Sequence, residues 1–404
     1  MKRIERARYL EWLKIWKGKQ IIKVVSGVRR CGKSTLFEIY KDWLNENGVE
    51  NQQIISINFE DIDFEPLTEY HALYEYISER LISNKMNYIF LDEIQHVAQF
   101  EKAVNSLFLK ENCDVYITGS NAYFLSGELA TVLTGRYVEL KMLPLSFQEF
   151  CSGLAEFSNL SNAQKFNLYL RQSSFPYLTK YQNTAQEVND YLRDIYNSVL
   201  LKDIVARLKI SDVTTLENVT KFLLHNVGNK VSVSKIANTL KSQGKGADQK
   251  TVDKYLRGLT DSFLLYEAQR YNLKGKMFLS TNSKYYAVDI GLRNMLVKSS
   301  ESDIGHILEN IVYLELKRRG GHVYVGQLDD GEIDFVSVKE DGVVYYQVSA
   351  TTLDETTLKR ELAPLRKVQD NYPKYLLTLD EIFGSADYDG IKKINVLEWL
   401  LNNE

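Results

Sequence analysis

The chain begins with charges interleaved with Leu, Ile and Trp at helical spacing, in MKRIERARYLEWLKIWKGKQ, which predicts an amphipathic helix. An apolar run from Ile21 to Ser26 then reads as a strand. A loop with two glycines follows it, and after the loop comes a second amphipathic helix. The run QQIISINFED supplies another strand, and a helix is expected from Thr68 to Ile82. NYIFLDEIQHV is apolar up to an Asp-Glu pair, the signature of a buried parallel strand that carries two carboxylates at its C-terminal end. CDVYITGSNA and the segment after Gly135-Arg136 add two more strands. Strands alternating with helices predict an α/β domain with a parallel sheet.

From Ser146 to about Ile210 the periodicity is helical, and QEVNDYLRDIYNSVLLKDIVARL is its longest amphipathic segment. Three further helical segments follow, at Thr215 to Asn226, Val233 to Lys241 and Asp248 to Asp261. SFLLYEAQRYN and KMFLSTNSKYYAVD then read as a hairpin, so three helices and a two-stranded wing suggest a winged helix. Beyond it the pattern is α-β-β-β-α-β: a helix over GHILENIVYLELKRRG, the strands GHVYVGQ, GEIDFVSV and VVYYQVSA, a helix from about Glu355 to Asn371, and the strand KYLLTLD.

Length and composition narrow this picture. The 404 residues allow two or three domains, and the 44% hydrophobic and 25% charged fractions are those of a folded globular chain. A net charge of −3 gives no global attraction to nucleic acid or anionic lipid, so any such binding needs a local patch. Cys31, Cys113 and Cys151 are odd in number and lack CxxC spacing, which argues against a disulfide framework or a zinc site and fits a reducing cytoplasm. No run reaches the roughly 20 apolar residues that span a bilayer, so membrane insertion is not expected.

The candidate chemistry starts at Gly27-x-x-x-x-Gly32-Lys33-Ser34, a P-loop pattern between a strand and a helix. Glycines let backbone N–H groups wrap a phosphate, and the helix N-terminus adds a favourable dipole. In this pattern Lys33 reaches the β- and γ-phosphates, Ser34 ligates Mg²⁺ and Thr35 contacts the α-phosphate; Arg29 and Arg30 receive no role. Asp92 would hold Mg²⁺, largely through water, and Glu93 would polarise the water that attacks the γ-phosphate. Asn121, with Ser120 as its rival, is expected to place that water from the tip of the next strand. The third helix of the winged-helix segment carries Lys250, Lys254 and Arg257. The loop before it adds Lys241, Lys245, Gly244 and Gly246, a surface suited to DNA phosphates or, equally, an ordinary solvated face.

The C-terminal pattern matches the core of restriction-endonuclease-like domains. Such nucleases use an acidic residue on the second strand, a Glu or Gln two residues before a lysine on the third, and often a glutamate on the first helix. Glu309, Asp334 and Gln347 fill three of these places, but Ser349 stands where the lysine belongs and is too short and neutral to supply its charge. Lys339 lies on the turn and is expected to be solvated. An inactive binding or assembly module is therefore favoured over an efficient nuclease.

With these residues in hand, the chain resembles a bacterial and archaeal family of AAA+-type ATPases that combine a P-loop module, a winged helix and a C-terminal domain of unknown function similar to restriction-endonuclease-like folds. The stretches that carry the resemblance include SGVRRCGKST, YIFLDEIQ, TVDKYLRGLTDSFLLYEAQRYNLKGK, KYYAVDIGLRN and EIDFV, in order through nearly the whole chain. The resemblance implies ATP and Mg²⁺ at Lys33, Ser34, Asp92 and Glu93, with Arg136 as a finger toward the γ-phosphate of a neighbouring subunit and hence a homo-oligomer. One departure is RQSSFPYL, where such proteins often have Gly-Gly before Phe-Pro, which puts the local turn in question.

The expected organisation is a P-loop AAA+-type domain over 1–145, a helical lid or connector over 146–210, a winged helix over 211–290 and a restriction-endonuclease-like domain over 291–404. The leading expectation is an ATPase that acts on or near DNA or on a protein partner. Its rivals are a slow nucleotide-binding switch without DNA binding and a Mg²⁺-dependent nuclease.

Overall fold

The structure, a computed structural model, describes residues 3–121, 133–154, 159–179, 183–242, 244, 246–275, 277–298, 303–382 and 384–402. The chain divides into two compact units, the first Met1–Pro144 with the short segment Asp261–Phe263, the second Leu145–Thr260 and Leu264–Glu404.

In the first unit, α1 (Ala7–Trp16) leads into β1 (Ile22–Ser26) and α2 (Lys33–Glu46). These are followed by β2 (Ile54–Asn58), α3 (Tyr70–Ser78), β3 (Asn87–Asp92), α4 (Phe100–Phe108), β4 (Cys113–Gly119) and β5 (Tyr137–Lys141). All the strand pairs are parallel, in the order β2-β3-β4-β1-β5, so β4 is inserted between the P-loop strand and the acidic strand. The reason is visible in burial: every residue of β1, β3 and β4 is buried, as expected of central strands covered by helices on both faces. Ile22, Val24, Ile89, Leu91, Val115 and Ile117 form the core against Leu73, Ile77, Val104 and Leu107. The predicted helix at Thr68 to Ile82 is shorter, Tyr70–Ser78, because Thr68 closes the preceding 3₁₀ turn Ile62–Leu67 and Glu69 is the N-cap, accepting from the His71 amide.

The second unit opens with α5 (Phe147–Gly153), α6 (Asn162–Gln172) and α7 (Ala185–Ser198), each started by a Ser or Thr capping box, at Ser146, Ser161 and Thr184. α7 runs into a π-helical stretch, Val199–Ala206. Next come α8 (Val213–His225), β6 (Lys230–Val231), α9 (Val233–Ser242), α10 (Gln249–Asp261), and the antiparallel pair β7 (Leu265–Asn272) and β8 (Met277–Ala287). After α11 (Ile290–Leu296) and α12 (Ile304–Arg318) lie β9 (His322–Gln327), β10 (Glu332–Lys339), β11 (Gly342–Ser349), α13 (Glu355–Lys367), β12 (Lys374–Thr378), β13 (Ala386–Tyr388), β14 (Ile391–Asn395) and α14 (Val396–Leu401).

Among the described residues these strands make one nine-stranded mixed sheet in the order β13-β14-β12-β11-β10-β9-β7-β8-β6. β7 pairs in parallel with β9, with Arg270 opposite Val325, so the hairpin and the C-terminal strands share a sheet that crosses position 290. β10 is broken by a bulge between Ile333 and Val336. A bulge re-aims side chains, and Asp334 sits inside this one.

The RQSSFPYL turn adopts a conformation suited to glycine: Ser173 has φ of 103°. A Cβ on Gly291 would come within 2.6 Å of the Ser173 Cβ, so the two residues pack backbone to backbone. The neighbouring Ser174 donates from both its amide (2.7 Å) and its hydroxyl (2.6 Å) to Asp289, which also caps α11 through Leu292 N–H (2.7 Å). The KYYAVDIGLRN stretch is thereby tied into the second unit as a structural joint.

Candidate nucleotide site and a buried lysine–carboxylate cluster

Between β1 and α2 the chain turns tightly enough that Gly27 tolerates no side chain: a Cβ there would meet the Met142 carbonyl oxygen at 2.2 Å. Arg30 and Gly32 also hold positive φ, at 65° and 106°, which curls the loop over the N-terminus of α2. Ser34 and Thr35, in the first turn of that helix, are exposed, so a phosphate reaches the helix N-terminus without displacing protein. From beneath, the buried Arg6 donates to the Cys31 carbonyl (3.0 Å) and to the Leu143 carbonyl (2.7 Å), tying the loop to the segment after β5. Arg6 was not singled out from the sequence, where it reads as one charge among many.

Lys33 is buried, with Nζ 3.2 Å from Glu93 Oε1 and 3.0 Å from the Gly27 carbonyl. Burial alone would lower its pKa, but Glu93, Cys31 and Asp92 outweigh that and hold it above the usual value. For Glu93, burial pushes upward, yet Lys33, Gln95 and Arg29 bring the net shift below the usual carboxylate value, so it is ionised at neutral pH. Asp92 is shifted upward by burial, which hydrogen bonds from Ser34 and Thr118 only partly offset. The Ser34 hydroxyl and the Asp92 carboxylate therefore already face each other, and this hydroxyl–carboxylate pair fits a Mg²⁺ ion. A bound Mg²⁺ would neutralise phosphate charge at this pair.

Two residues missing from the sequence-based set hold this corner. Thr118 donates to Asp92 Oδ1 (2.5 Å) and accepts from the Glu93 amide (2.8 Å), which fixes Glu93 in a left-handed conformation with φ of 55°. Gln95 Nε2 donates to Glu93 Oε2 and to Ser120 Oγ (3.3 Å), linking the acid to the tip of β4. Thr118 looks in sequence like any alternate strand residue. Gln95 was readable as a polar residue directly after the acidic pair. Asn121 is buried beside Ser120. Arg136 lies at the start of β5, at the sheet edge opposite the loop, where it donates to Asn105 and sits over the Phe108 ring.

On α10, Lys250, Lys254 and Arg257 are exposed, and Arg257 pairs with Asp253 at 3.1 Å. Lys241 and Gly246 are exposed nearby, as is Gly244; Lys245 lies outside the described residues.

In the second unit Glu309, from α12, and Asp334, from β10, are brought together, and a residue not anticipated from the sequence joins them. Lys284 of β8 places Nζ 2.8 Å from Glu309 Oε1, 2.9 Å from Glu332 Oε1 and 3.7 Å from Asp334 Oδ1. Lys230 holds the other Glu332 oxygen at 2.6 Å, and the Tyr286 hydroxyl donates to Glu309 (2.6 Å). Burial would lower the Lys284 pKa, but Glu309, Asp334 and Glu332 together hold it well above the usual value. Burial first and Glu309 second push Asp334 up to about 8, against the pull of Lys284. Gln347 is spent elsewhere: Oε1 accepts from the Asp334 amide (3.3 Å) and Nε2 donates to Glu361 (2.9 Å). Ser349 donates to the Thr351 carbonyl (3.0 Å). Lys339 is exposed at the far end of β10, opposite Gly342.

Residues 19–151 match a family model described as an AAA domain, and residues 163–303 match one described as a domain of unknown function, DUF8612. A protein of Haemophilus influenzae described as uncharacterized is 40% identical over 400 residues, covering 98% of each chain. The uncharacterized protein MJ1544 of Methanocaldococcus jannaschii is 29% identical over 93% of this chain and 84% of its own. Among solved structures, the Walker-type ATPase PABY2304 of Pyrococcus abyssi matches with a TM-score of 0.50 at 15% identity, over 73% of this chain and 96% of that one, a likeness of fold. Among the described residues no helix is long and apolar enough to cross a membrane.

Proposed function

The chain belongs to the same family as its uncharacterized Haemophilus influenzae relative and carries a match to an AAA domain over residues 19–151, and from that premise we propose that it hydrolyses ATP at Lys33, Asp92 and Glu93 and passes the nucleotide state to its second unit. The observation that carries this reading is the Lys33–Glu93 pair beside the Ser34–Asp92–Thr118 contacts at the N-terminus of α2. The loop amides and Lys33 bind the phosphates. A γ-phosphate that competes for Lys33 frees the ionised Glu93 carboxylate, which orients water and takes its proton. Gln95, linked to Ser120, keeps that carboxylate aimed. Arg136, held by Asn105 at the edge away from its own loop, suits a finger acting on a neighbouring copy. The test is steady-state ATPase of wild type against Lys33→Ala and Glu93→Gln, with Mg²⁺ present and chelated. Equal turnover in all three proteins would remove the hydrolase assignment.

The order α8-β6-α9-α10-β7-β8 supports the winged-helix reading, with α10 and its cations as the DNA-facing helix. The order α12-β9-β10-β11-α13-β12 supports the restriction-endonuclease-like reading of the C-terminal segment. With four segments at 1–145, 146–210, 211–290 and 291–404, the target is DNA or a DNA-associated protein partner. DNA binding whose salt dependence weakens in Lys250→Ala/Lys254→Ala supports contact through α10. Absence of binding at low salt would favour a nucleotide-driven switch that engages protein alone.

A further inference from the structure

We propose that Lys284 is a built-in cation occupying the place that a divalent metal would take in the carboxylate cluster of the second unit, so that this module works as a metal-free, non-cleaving scaffold. The inference borrows only the nuclease-like reading of the C-terminal segment and is independent of ATP hydrolysis, so the two fail separately.

The first argument is geometric. A nuclease of this pattern converges its carboxylates on a metal, with oxygens at about 2.0–2.1 Å from Mg²⁺. Here Glu309, Glu332 and Asp334 converge on an ammonium at 2.8, 2.9 and 3.7 Å, distances that belong to ion pairs. The side chain expected to deliver the catalytic charge from β11 is Ser349, turned onto the Thr351 carbonyl. The positive charge comes instead from β8, and it sits on the acids rather than beside a metal. Among the described residues no group of three or more His, Cys, Asp or Glu side chains is arranged to hold a metal ion.

The second argument is charge. Lys284 and Lys230 bring two positive charges to Glu309, Glu332 and Asp334, and each Glu332 oxygen already has a lysine. A divalent ion entering this group would meet a buried ammonium that is anchored in the middle of a paired strand. The cluster is also closed by backbone. A Cβ on Gly228 would stand 3.0 Å from His306 Nδ1 and 3.1 Å from Glu309 Oε2, so the α8–β6 loop lies directly against Glu309. Tyr286, stacked on Tyr313 at 4.3 Å, fills the space beside the carboxylates. The same cation that excludes metal thus ties together the hairpin, α12 and β10.

The experiment measures Mn²⁺ binding to the full chain by electron paramagnetic resonance in an Asp92→Asn background, which weakens any ion at the nucleotide site. With Lys284 present no bound Mn²⁺ is expected; Lys284→Met should gain about one equivalent per chain, lost again on adding Asp334→Asn. Failure of Lys284→Met to gain Mn²⁺ overturns the proposal. So does Mn²⁺ binding, or cleavage of plasmid or single-stranded nucleic acid, that the Lys284-bearing protein shows and Asp334→Asn abolishes. Where Lys284→Met does not fold, the Lys284-bearing arm decides alone. A melting temperature unmoved by millimolar Mn²⁺ in both the Asp92→Asn protein and its Asp334→Asn derivative supports the built-in cation, and Mn²⁺ stabilisation dependent on Asp334 contradicts it.

Discussion

Lys33 and Lys284 are near twins by local measures: each exposes 4% of its side chain, and each pairs with a glutamate that exposes 9%. Their surroundings separate them. Lys33 stands at a helix N-terminus, rests on carbonyls of its own loop and has the exposed Ser34 and Thr35 beside it, so an incoming phosphate can replace the glutamate as its partner. Lys284 is buried among Glu309, Glu332 and Asp334, with Tyr286 on Glu309, so its ammonium is already committed to these acids. A buried lysine–glutamate pair is therefore a binding device or a lock according to what else its lysine can reach.

The sharpest way to break that comparison is to make the same substitution at both positions. Lys284→Met leaves buried carboxylates without their cation and should lower unfolding stability by about 3–5 kcal/mol, while ATP still raises the melting temperature. Lys33→Met should instead abolish the ATP-induced rise. Thermal melts with and without ATP check both; an ATP-induced rise lost in the Lys284 variant and kept in the Lys33 variant would reverse the assignments.

Next in size is a pH effect confined to the lock. The Asp334 pKa is raised from 3.8 to about 8 in the fold, so its contribution is complete below its unfolded value and is lost as pH rises through about 8. Asp334→Asn mimics the protonated form and should flatten the decline of melting temperature between those values. An unchanged pH profile would show that the acid is already ionised.

At the nucleotide site, Gln95→Leu removes the link from Glu93 to Ser120. It should cut kcat roughly 10- to 100-fold with KM little changed, since it misplaces an acid without touching phosphate. A rise in KM alone would mean that Gln95 serves binding. The smallest expected effect is Ser173→Gly, which relieves a positive φ and should stabilise the second unit by about 1 kcal/mol, read as a small rise in the urea midpoint.

The parts legible in sequence were those whose signal is local. β1, the loop and α2 announce themselves by an apolar run, glycines and an amphipathic helix. β3 does so by an apolar run that stops at Asp92-Glu93, and the parallel order with β4 inserted followed. The Ser173 departure pointed to a turn that the fold strains in the expected place. Lys284 was invisible because its partners come from α12 and β10 and its own strand reads as a polar wing; only the sheet that joins β7 to β9 brings them together. The same holds for Thr118, whose importance is its position across from Asp92 in a neighbouring strand. β13, β14 and α14 lie past the last strand read from the pattern, where the adjacent lysines of IKKIN mask a strand that pairs on both sides, with β12 and β13.

The central claim is hydrolysis by water that Glu93 activates, and the most direct measurement is ATP binding and turnover by Glu93→Gln side by side with wild type. The account predicts that the variant keeps nucleotide binding while turnover falls about 10²-fold or more. Wild-type turnover in the Glu93→Gln protein would contradict it.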